Sequence, residues 1–229
     1  MNELEEFFFN GQHRLIHKWR HYFEIYDRHW RQFRGKKINI LEIGIAHGGS
    51  IQMWNDYFQG NATIYGIDIN PECKKFESEN VKIFIGSQDD KKFLKNVRDT
   101  IPHLDIVLDD GGHTMKQQIL TLEILYDHVK EDGVYVCEDL QTSYWRFFGG
   151  GYKRRGTFVE YSKKLIDQLH AWHNKKVPMT DFTKSAYCLH FYDSVLVIEK
   201  RKKERPYDVK SGEPSIVDPL AAELIIKDR

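Results

Sequence analysis

The segment LEIGIAHGGS (residues 41–50) determines the fold, because an apolar run ends there in a cluster of small residues. The run INILEIGI (38–45) predicts a buried strand, and SIQMWNDYF (50–58), which follows the glycines, predicts a helix. Small side chains at positions 44, 46, 48 and 49 let the backbone approach a ligand closely. The segment therefore predicts a strand–turn–helix unit of an open α/β sheet, in which ligands bind beyond the carboxyl ends of the strands.

The same alternation of strands and helices continues along the chain. Further apolar runs predict strands at 63–69, 81–86, 104–110 and 133–139, and periodic segments predict helices at 91–101, 115–129 and 157–173. The runs AYCLHFY (186–192) and SVLVIEK (194–200) are joined by little more than Asp193, which predicts an antiparallel hairpin at the sheet edge. We therefore expect an α/β, Rossmann-like fold with a mostly parallel seven-stranded sheet, helices on both faces and a C-terminal antiparallel hairpin.

The two ends of the chain differ from this α/β domain, which we place at residues 35–200. Residues 1–34 predict an N-terminal helical segment, with aromatic side chains on one broad face: Trp19, Tyr22, Phe23, Tyr26, Trp30 and Phe33. We favour a helix that packs on the domain, and the alternatives are a dimer contact or a wall of the substrate site. Residues 201–229 form a charged C-terminal tail with three prolines, which we expect to be loosely docked.

The composition excludes several classes of partner. The 34 Lys and Arg residues equal the 34 Asp and Glu residues, and this balance argues against nucleic-acid binding through a broad basic face. No stretch approaches the ~20 apolar residues of a membrane span, and the acidic start MNELEEFFFN is unlike a signal peptide. We therefore expect a cytoplasmic protein with no nucleic-acid or membrane partner.

The three cysteines, Cys73, Cys137 and Cys188, are far apart and odd in number. Such cysteines predict buried free thiols in a reducing cytosol. Because the sequence contains no CxxC motif and no evident Cys/His cluster, it predicts no zinc site.

The glycine turn and the acidic end of the second strand predict a nucleoside site. Asp68 ends that strand about 20 residues beyond the turn, where a carboxylate can accept hydrogen bonds from both ribose hydroxyls. The pattern Gly44-x-Ala46-x-x-Gly49 also resembles a degenerate dinucleotide fingerprint, so a nicotinamide-dependent oxidoreductase is an alternative, as is a turn without any ligand. Small residues such as Gly48 serve either cofactor.

Two features favour S-adenosylmethionine over a dinucleotide. A carboxylate at Glu42 repels a pyrophosphate but attracts a sulfonium or an amino group. The terminal hairpin is also the ending of the class I methyltransferase sheet. The turn after the third strand, which includes Ser87 and Gln88, lies where the adenine edge should be recognised, although it is also compatible with an ordinary turn.

Acidic residues end the fourth and fifth predicted strands. LDDGGH (108–113) ends the fourth, and Glu138 and Asp139 end the fifth. Because these strands should be neighbours, Asp110, Glu138 and Asp139 should converge. Clustered carboxylates repel each other unless they are protonated or bridged by a cation, and oxygen ligands suit Mg²⁺. The pattern predicts a magnesium site, and the alternative is carboxylates that cap helices or bind solvent.

His113 follows Asp110 by three residues, beyond two glycines, so the turn should direct its imidazole toward the same site. An alcohol is hard to ionise near neutral pH, and a metal ion lowers that cost as a Lewis acid. A histidine is suited to accept the proton. The arrangement predicts metal-assisted methylation of a hydroxyl with His113 as the base.

These motifs resemble class I methyltransferases of the macrocin and mycinamicin sugar O-methyltransferase type. The similarity runs from about Trp19 to Lys200 and is carried by ILEIGIAHGGSIQMW, IYGIDINPEC, DIVLDDGGHTMKQQ and GVYVCEDLQTSYW. The DDGGH motif and the Glu-Asp pair are specific to this group, whereas the glycine turn is not. The cephalosporin-hydroxylase-like and rhamnosyl O-methyltransferase families are related.

The resemblance implies magnesium-dependent methylation of a sugar hydroxyl, on an acceptor with vicinal hydroxyls, by a homo-oligomer. It places the base on His113 and the metal ligands on Asp110, Glu138 and Asp139. It places the donor contacts on Glu42, Gly44, Ser50, Asp68, Gln88 and Asp109. The mycinamicin enzyme has a long additional N-terminal domain where this chain has a short helical segment, so its substrate and assembly are not carried over.

The segment that follows the acidic pair has two interpretations. Thr142, Tyr144 and Trp145 either border the sugar, because aromatic faces suit sugar rings, or pack under a lid at 146–156. A metal-dependent catechol-type methyltransferase and an inactive binding protein that retains the fold are further alternatives to a sugar methyltransferase.

Overall fold

The computed structural model describes residues 1–213 and 215, and a single sheet organises them. Its strands are β1 (Ile38–Ile43), β2 (Ala62–Asp68), β3 (Val81–Ile85), β4 (Leu104–Asp109), β5 (Val129–Cys137), β6 (Ala186–Tyr192) and β7 (Val195–Lys200). The strand order is β3-β2-β1-β4-β5-β7-β6. Strands β1 to β5 are parallel, and β7 is antiparallel to both β5 and β6. The predicted fold class is confirmed, including the terminal hairpin.

Helices cover both faces of the sheet. They are α1 (Glu3–Asn10), α2 (Tyr22–Trp30), α3 (Gly49–Tyr57), α4 (Lys91–Thr100), α5 (Met115–Leu125), α6 (Phe158–Leu169) and the short α7 (Asp181–Ser185). Because side chains alternate along a strand, Ile40 and Val197 pack toward α1, α2 and α3, whereas Leu41 and Ile198 pack toward α4, α5 and α6. The sheet is therefore buried on both sides, as its near-continuous apolar runs predict.

The N-terminal segment departs from the prediction of one aromatic helical face. It forms two helices, and residues 11–21 between them are not helical. Trp19 lies in this connection with 54% of its surface exposed, so its place on a common face with the other aromatic residues was wrong. The connection crosses the carboxyl ends of the strands, where the Arg14 guanidinium donates to the Gly48 carbonyl at 2.8 and 3.1 Å. These tertiary contacts outweigh the helical spacing of the aromatic residues.

Elsewhere the structure adds the short helix α7, which was not predicted, and the other differences concern element boundaries. The predicted helix 115–129 ends at Leu125, because residues 126–128 form a 3₁₀ turn and Val129 pairs with Leu104 to begin β5. Within the described part of the chain, none of the helices has the length and apolar character that a membrane span requires. Residues 201–213 have no helix or strand, and the rest of the predicted tail, except residue 215, lies outside the described residues.

Candidate functional site

A cleft of about 750 Å³ opens at the carboxyl ends of β1, β2 and β4. The turn after β1 lines it, with Asp68, Ser87 and Gln88 at the ends of β2 and β3. Leu15 to Lys18, in the connection between α1 and α2, form another wall. Clefts of roughly 300–1,000 Å³ hold ligands the size of a nucleoside cofactor, so the volume suits the predicted methyl donor.

The turn after β1 is held by the carboxylate of Asp68. Its Oδ2 accepts hydrogen bonds from the backbone N–H groups of Ile45 and Ala46, both at 2.9 Å, and its Oδ1 accepts one from Asn70 N–H at 2.8 Å. A carboxylate can accept about four hydrogen bonds. Asp68 therefore shapes the turn and still has acceptor capacity for ribose hydroxyls at the edge of the cleft.

Gly44 lies where the turn after β1 meets the turn after β4. Its φ is +87°, and a Cβ atom there would lie 2.0 Å from the Asp110 carbonyl oxygen. We expect Gly44→Ala to lower the free energy of unfolding by about 2–5 kcal/mol, because left-handed strain adds to overpacking. Denaturant unfolding measures this. Gly60→Ala is the control, because Gly60 has φ +71° but nothing within 4 Å of its Cβ position; equal losses in both variants would contradict the steric argument.

Glu42 is buried behind this turn. Its Oε2 accepts a hydrogen bond from Ser50 Oγ at 2.9 Å, while its Oε1 is buried without a hydrogen-bond partner among the described residues. Burial raises the pKa of Glu42 to about 7. Because an unpaired buried acceptor is costly, Glu42 and Ser50, which lines the cleft, fit a cationic amino group of a bound donor.

Gln88 and Asp109 support the turn after β4 through buried hydrogen bonds. Gln88 Nε2 donates to Asp109 Oδ1 at 2.6 Å and to Thr121 Oγ1 at 2.9 Å, and its Oε1 accepts from Gly112 N–H at 3.0 Å. Asp109 is 1% exposed, and burial raises its pKa to about 7. Gln88 lines the cleft, whereas Asp109 lies below it and acts here through Gln88; its direct contact with the donor stays a prediction.

The structure brings two of the three predicted acidic residues, Asp110 and Glu138, together around a lysine that the sequence analysis missed. Lys18 Nζ lies 2.5 Å from Asp110 Oδ2 and 3.0 Å from Glu138 Oε2. The side chains of Lys18 and Glu138 are 3% and 1% exposed. Although burial opposes it, the two carboxylates raise the pKa of Lys18 above its usual value, so the ammonium stays charged. Since 92 residues separate Lys18 from Asp110, no local motif could reveal the contact.

Helix α2 supports the same carboxylates from behind. The Tyr26 hydroxyl donates to Glu138, and the Tyr22 hydroxyl donates to Asp139 Oδ1 at 2.7 Å. Both rings are buried in the core. Helix α2 of the N-terminal segment therefore packs on the domain, which is the arrangement that we favoured. The connection that precedes α2 also forms a wall of the cleft.

His113 faces this cluster from the turn after β4. Its φ is +56°, and its Nε2 lies 3.3 Å from Asp139 Oδ2 and 3.9 Å from Asp110 Oδ1. Each of these three residues offers a ligand atom, all within 4.8 Å of one another. The carboxylate oxygens of Asp110 and Asp139 are ligands that Mg²⁺ prefers, so these two residues fit a divalent ion, which would compete with Lys18 for Asp110. Glu138 lies outside this group, and its ligation of a metal stays a prediction.

The segment after Asp139 provides aromatic surface beside His113. Thr142 is buried, and its Oγ1 lies 2.7 Å from the Asp139 carbonyl oxygen, so it supports the turn from inside. Tyr144 and Trp145 are about half exposed, at 52% and 49%. Phe148 connects Trp145 to the site, with its ring centroid 6.0 Å from that of Trp145 and 6.3 Å from that of His113. Contact of Thr142, Tyr144 and Trp145 with an acceptor stays a prediction.

Comparison with known proteins identifies relatives for most of the chain. A family model described as a methyltransferase domain matches residues 41–140. The 8-demethyl-8-α-L-rhamnosyl tetracenomycin-C 2′-O-methyltransferase of Streptomyces olivaceus is 34% identical and aligns with 79% of this chain and 50% of its own length. The mycinamicin VI 2″-O-methyltransferase of Micromonospora griseorubida is 30% identical, over 89% of this chain and 53% of its own length. This chain spans about half the length of these curated relatives.

A solved structure is similar over nearly the whole chain. The MycE methyltransferase of the mycinamycin biosynthetic pathway, in complex with Mg, SAH and mycinamycin VI, superposes with a TM-score of 0.79 at 28% identity. The match covers 98% of this chain and 58% of that one. These similarities favour a methyl donor and do not favour the nicotinamide alternative.

Proposed function

Because this chain is a class I methyltransferase that resembles the macrocin and mycinamicin sugar O-methyltransferases, we propose that it transfers a methyl group from S-adenosylmethionine to a sugar hydroxyl, with Mg²⁺ beside the donor. The acceptor is a glycosylated natural product or a polysaccharide with vicinal hydroxyls. One observation carries this proposal: Asp110, Asp139 and His113 meet at the edge of the cleft that Gly44 and Asp68 line.

Different residues of this chain bind the methyl donor and the metal ion. Glu42 holds the cationic amino group of the donor, and Asp68 accepts hydrogen bonds from its ribose. Asp110, Glu138 and Asp139 would hold the metal through carboxylate oxygens. When bound, Mg²⁺ supplies the positive charge that makes an acceptor hydroxyl easier to ionise.

His113 moves the proton. Its Nε2 accepts the proton of the attacking hydroxyl, and the nearby carboxylate of Asp139, at 3.3 Å, stabilises the resulting imidazolium. The hydroxyl oxygen forms a bond to the methyl carbon while the bond from that carbon to sulfur breaks. The sulfonium donor leaves as the neutral thioether S-adenosylhomocysteine, so charge and atoms balance.

Exposed aromatic rings favour a sugar acceptor over a small polar one. Tyr144, Trp145, Phe147 and Tyr152 are between 49% and 91% exposed, and Phe148 links Trp145 to His113. Exposed apolar side chains can mark binding sites, and a pyranose ring offers an apolar face that packs on aromatic rings. We also propose a cytoplasmic location and a homo-oligomeric state, the latter testable by light scattering of the purified protein.

Label transfer tests the function. We expect methyl-labelled S-adenosylmethionine to label glycosides that carry a vicinal diol, and to label matched deoxy analogues, which lack one of the two hydroxyls, far less. Chelation of divalent ions should abolish the transfer, and added Mg²⁺ should restore it, because ionising the hydroxyl depends on the ion. Labelled products are measured by mass spectrometry.

Other outcomes would replace the proposal. Transfer to catechols alone would identify a catechol-type methyltransferase. Binding of S-adenosylhomocysteine without transfer to any acceptor of the panel would identify a binding protein, and thermal protection by NAD alone would identify an oxidoreductase.

A further inference from the structure

A second cluster of metal-ligating side chains lies on the terminal hairpin, apart from the acidic cluster. Cys188 and His190 are two residues apart on β6, so the pleat places both side chains on the same face of the sheet. Glu199 of β7 pairs directly with Cys188. Helix α2 covers this face and places His29 against the hairpin, with its ring centroid 4.8 Å from that of His190.

His29, His190 and Glu199 offer ligand atoms that all lie within 4.8 Å of one another, and Cys188 lies beside two of them, His190 and Glu199. His29 Nδ1 lies 2.7 Å from Glu199 Oε1, and His190 Nε2 lies 3.5 Å from the same oxygen. Cys188 Sγ lies 3.0 Å from His190 Nε2 and 3.4 Å from Glu199 Oε2. Ligand bonds of about 2.0–2.3 Å in a tetrahedral zinc site place neighbouring donors roughly 3.3–3.6 Å apart. Small side-chain movements would therefore close such a site.

The surroundings favour metal ligation by the histidines. His29 is 3% exposed, so its ring is held in place by the core around it. Its other ring nitrogen, Nε2, lies 2.9 Å from the Tyr192 hydroxyl. A partner on the second nitrogen fixes ring orientation in metal sites. His190 and Cys188 are only partly buried, which leaves a path for an ion.

We propose that His29, Cys188, His190 and Glu199 bind one Zn²⁺ ion as a closed, four-ligand structural site. Nitrogen, sulfur and carboxylate donors together are the set that zinc prefers, whereas Mg²⁺ prefers oxygen alone. The expectation of no zinc site was drawn from sequence spacing, and it missed this cluster because His29 and Glu199 are 170 residues apart. The assignment of these ligands does not rest on the proposed methyl transfer.

The ion would connect two elements that support the acidic cluster. Helix α2 carries both His29 and the tyrosines that donate to Glu138 and Asp139. Strand β7 carries Glu199 and pairs with β5, whose last residue, Cys137, precedes Glu138. Zinc bound between α2 and the hairpin would therefore fix the position of the elements that support Glu138 and Asp139.

Cobalt substitution tests the site directly. Metal-free protein is titrated with Co²⁺ in excess Mg²⁺, which occupies the oxygen ligands. We expect one equivalent of Co²⁺ to give intense visible bands of tetrahedral geometry and a thiolate-to-cobalt charge-transfer band, both displaced by Zn²⁺. Cys188→Ser should lose the charge-transfer band, and His190→Ala should lose most of the bound metal. Cys73→Ser is the matched control, because Cys73 lies outside the cluster, and it should keep both signals.

A measurement on the unmutated protein covers the case in which a variant fails to fold. Zn²⁺ should slow alkylation of Cys188 at least tenfold, as mapped by mass spectrometry, while leaving the rates at Cys73 and Cys137 unchanged. Equal alkylation of Cys188 with and without Zn²⁺, or cobalt spectra of octahedral type only, would overturn the proposal.

Discussion

His113→Asn is expected to lower kcat by about 10²–10⁴-fold, the usual contribution of a general base, while the Kd for S-adenosylhomocysteine changes little. His113 Nε2 faces Asp110 and Asp139, whereas the residues proposed to contact the ribose and the amino group of the donor are Asp68 and Glu42. Asparagine tolerates the positive φ of this position but cannot accept a proton at neutral pH. Turnover under saturating donor, and donor affinity by calorimetry, separate the two effects.

The matched control is His173→Asn, because His173 is exposed in the turn after α6, away from the cleft. It should retain the kcat of the unmodified protein. A His113→Asn variant with kcat within a factor of three of the control would remove His113 as the base. A parallel loss of donor affinity would instead assign His113 to the donor site.

The order of elements follows from local patterns, which explains why the sequence alone predicts it well. Apolar runs of strand length alternate with periodic helices, and each pattern depends only on residues within the same element. The hairpin 186–200 is predicted for the same reason, since Asp193 and Ser194 leave no room for a crossover. The break at residues 11–21 is different, because contacts such as Arg14 with Gly48 decide it, and these join distant parts of the chain.

The candidate site also combines contacts that local patterns predict with contacts that they do not predict. Asp110, Glu138 and Asp139 could be brought together by reasoning, because neighbouring parallel strands end at the same edge of a sheet. Nothing in the spacing around Lys18 or Tyr26 indicates that they reach Glu138, more than 100 residues away. For the same reason, sequence spacing does not indicate that His29 lies beside Cys188 and His190. A sequence predicts which residues neighbouring strand ends bring together, but not the partners that the distant N-terminal segment adds.

Lys18→Met is expected to lower the free energy of unfolding by about 3–5 kcal/mol in the presence of a chelator, because it leaves buried carboxylates without their counter-ion. Methionine fills a similar volume, so the change reports the lost charge and not a cavity. Saturating Mg²⁺ should stabilise the variant more than the unmodified protein, in which the ion must displace the ammonium from Asp110 and Glu138. Denaturant unfolding with and without Mg²⁺ measures both quantities.

Lys130→Met provides the matched control. Lys130 pairs with Asp105 at 2.7 Å but is 38% exposed, and exposed pairs contribute about 1 kcal/mol or less. Its loss should be small and independent of Mg²⁺. If Mg²⁺ stabilises Lys18→Met and the unmodified protein equally, Lys18 and the ion do not share ligands, and the metal must lie toward His113 and Asp139 instead. If the ion stabilises the variant more, then Lys18 occupies the place of the metal, which explains how the protein keeps Asp110 and Glu138, from two acidic strand ends, together before the ion arrives.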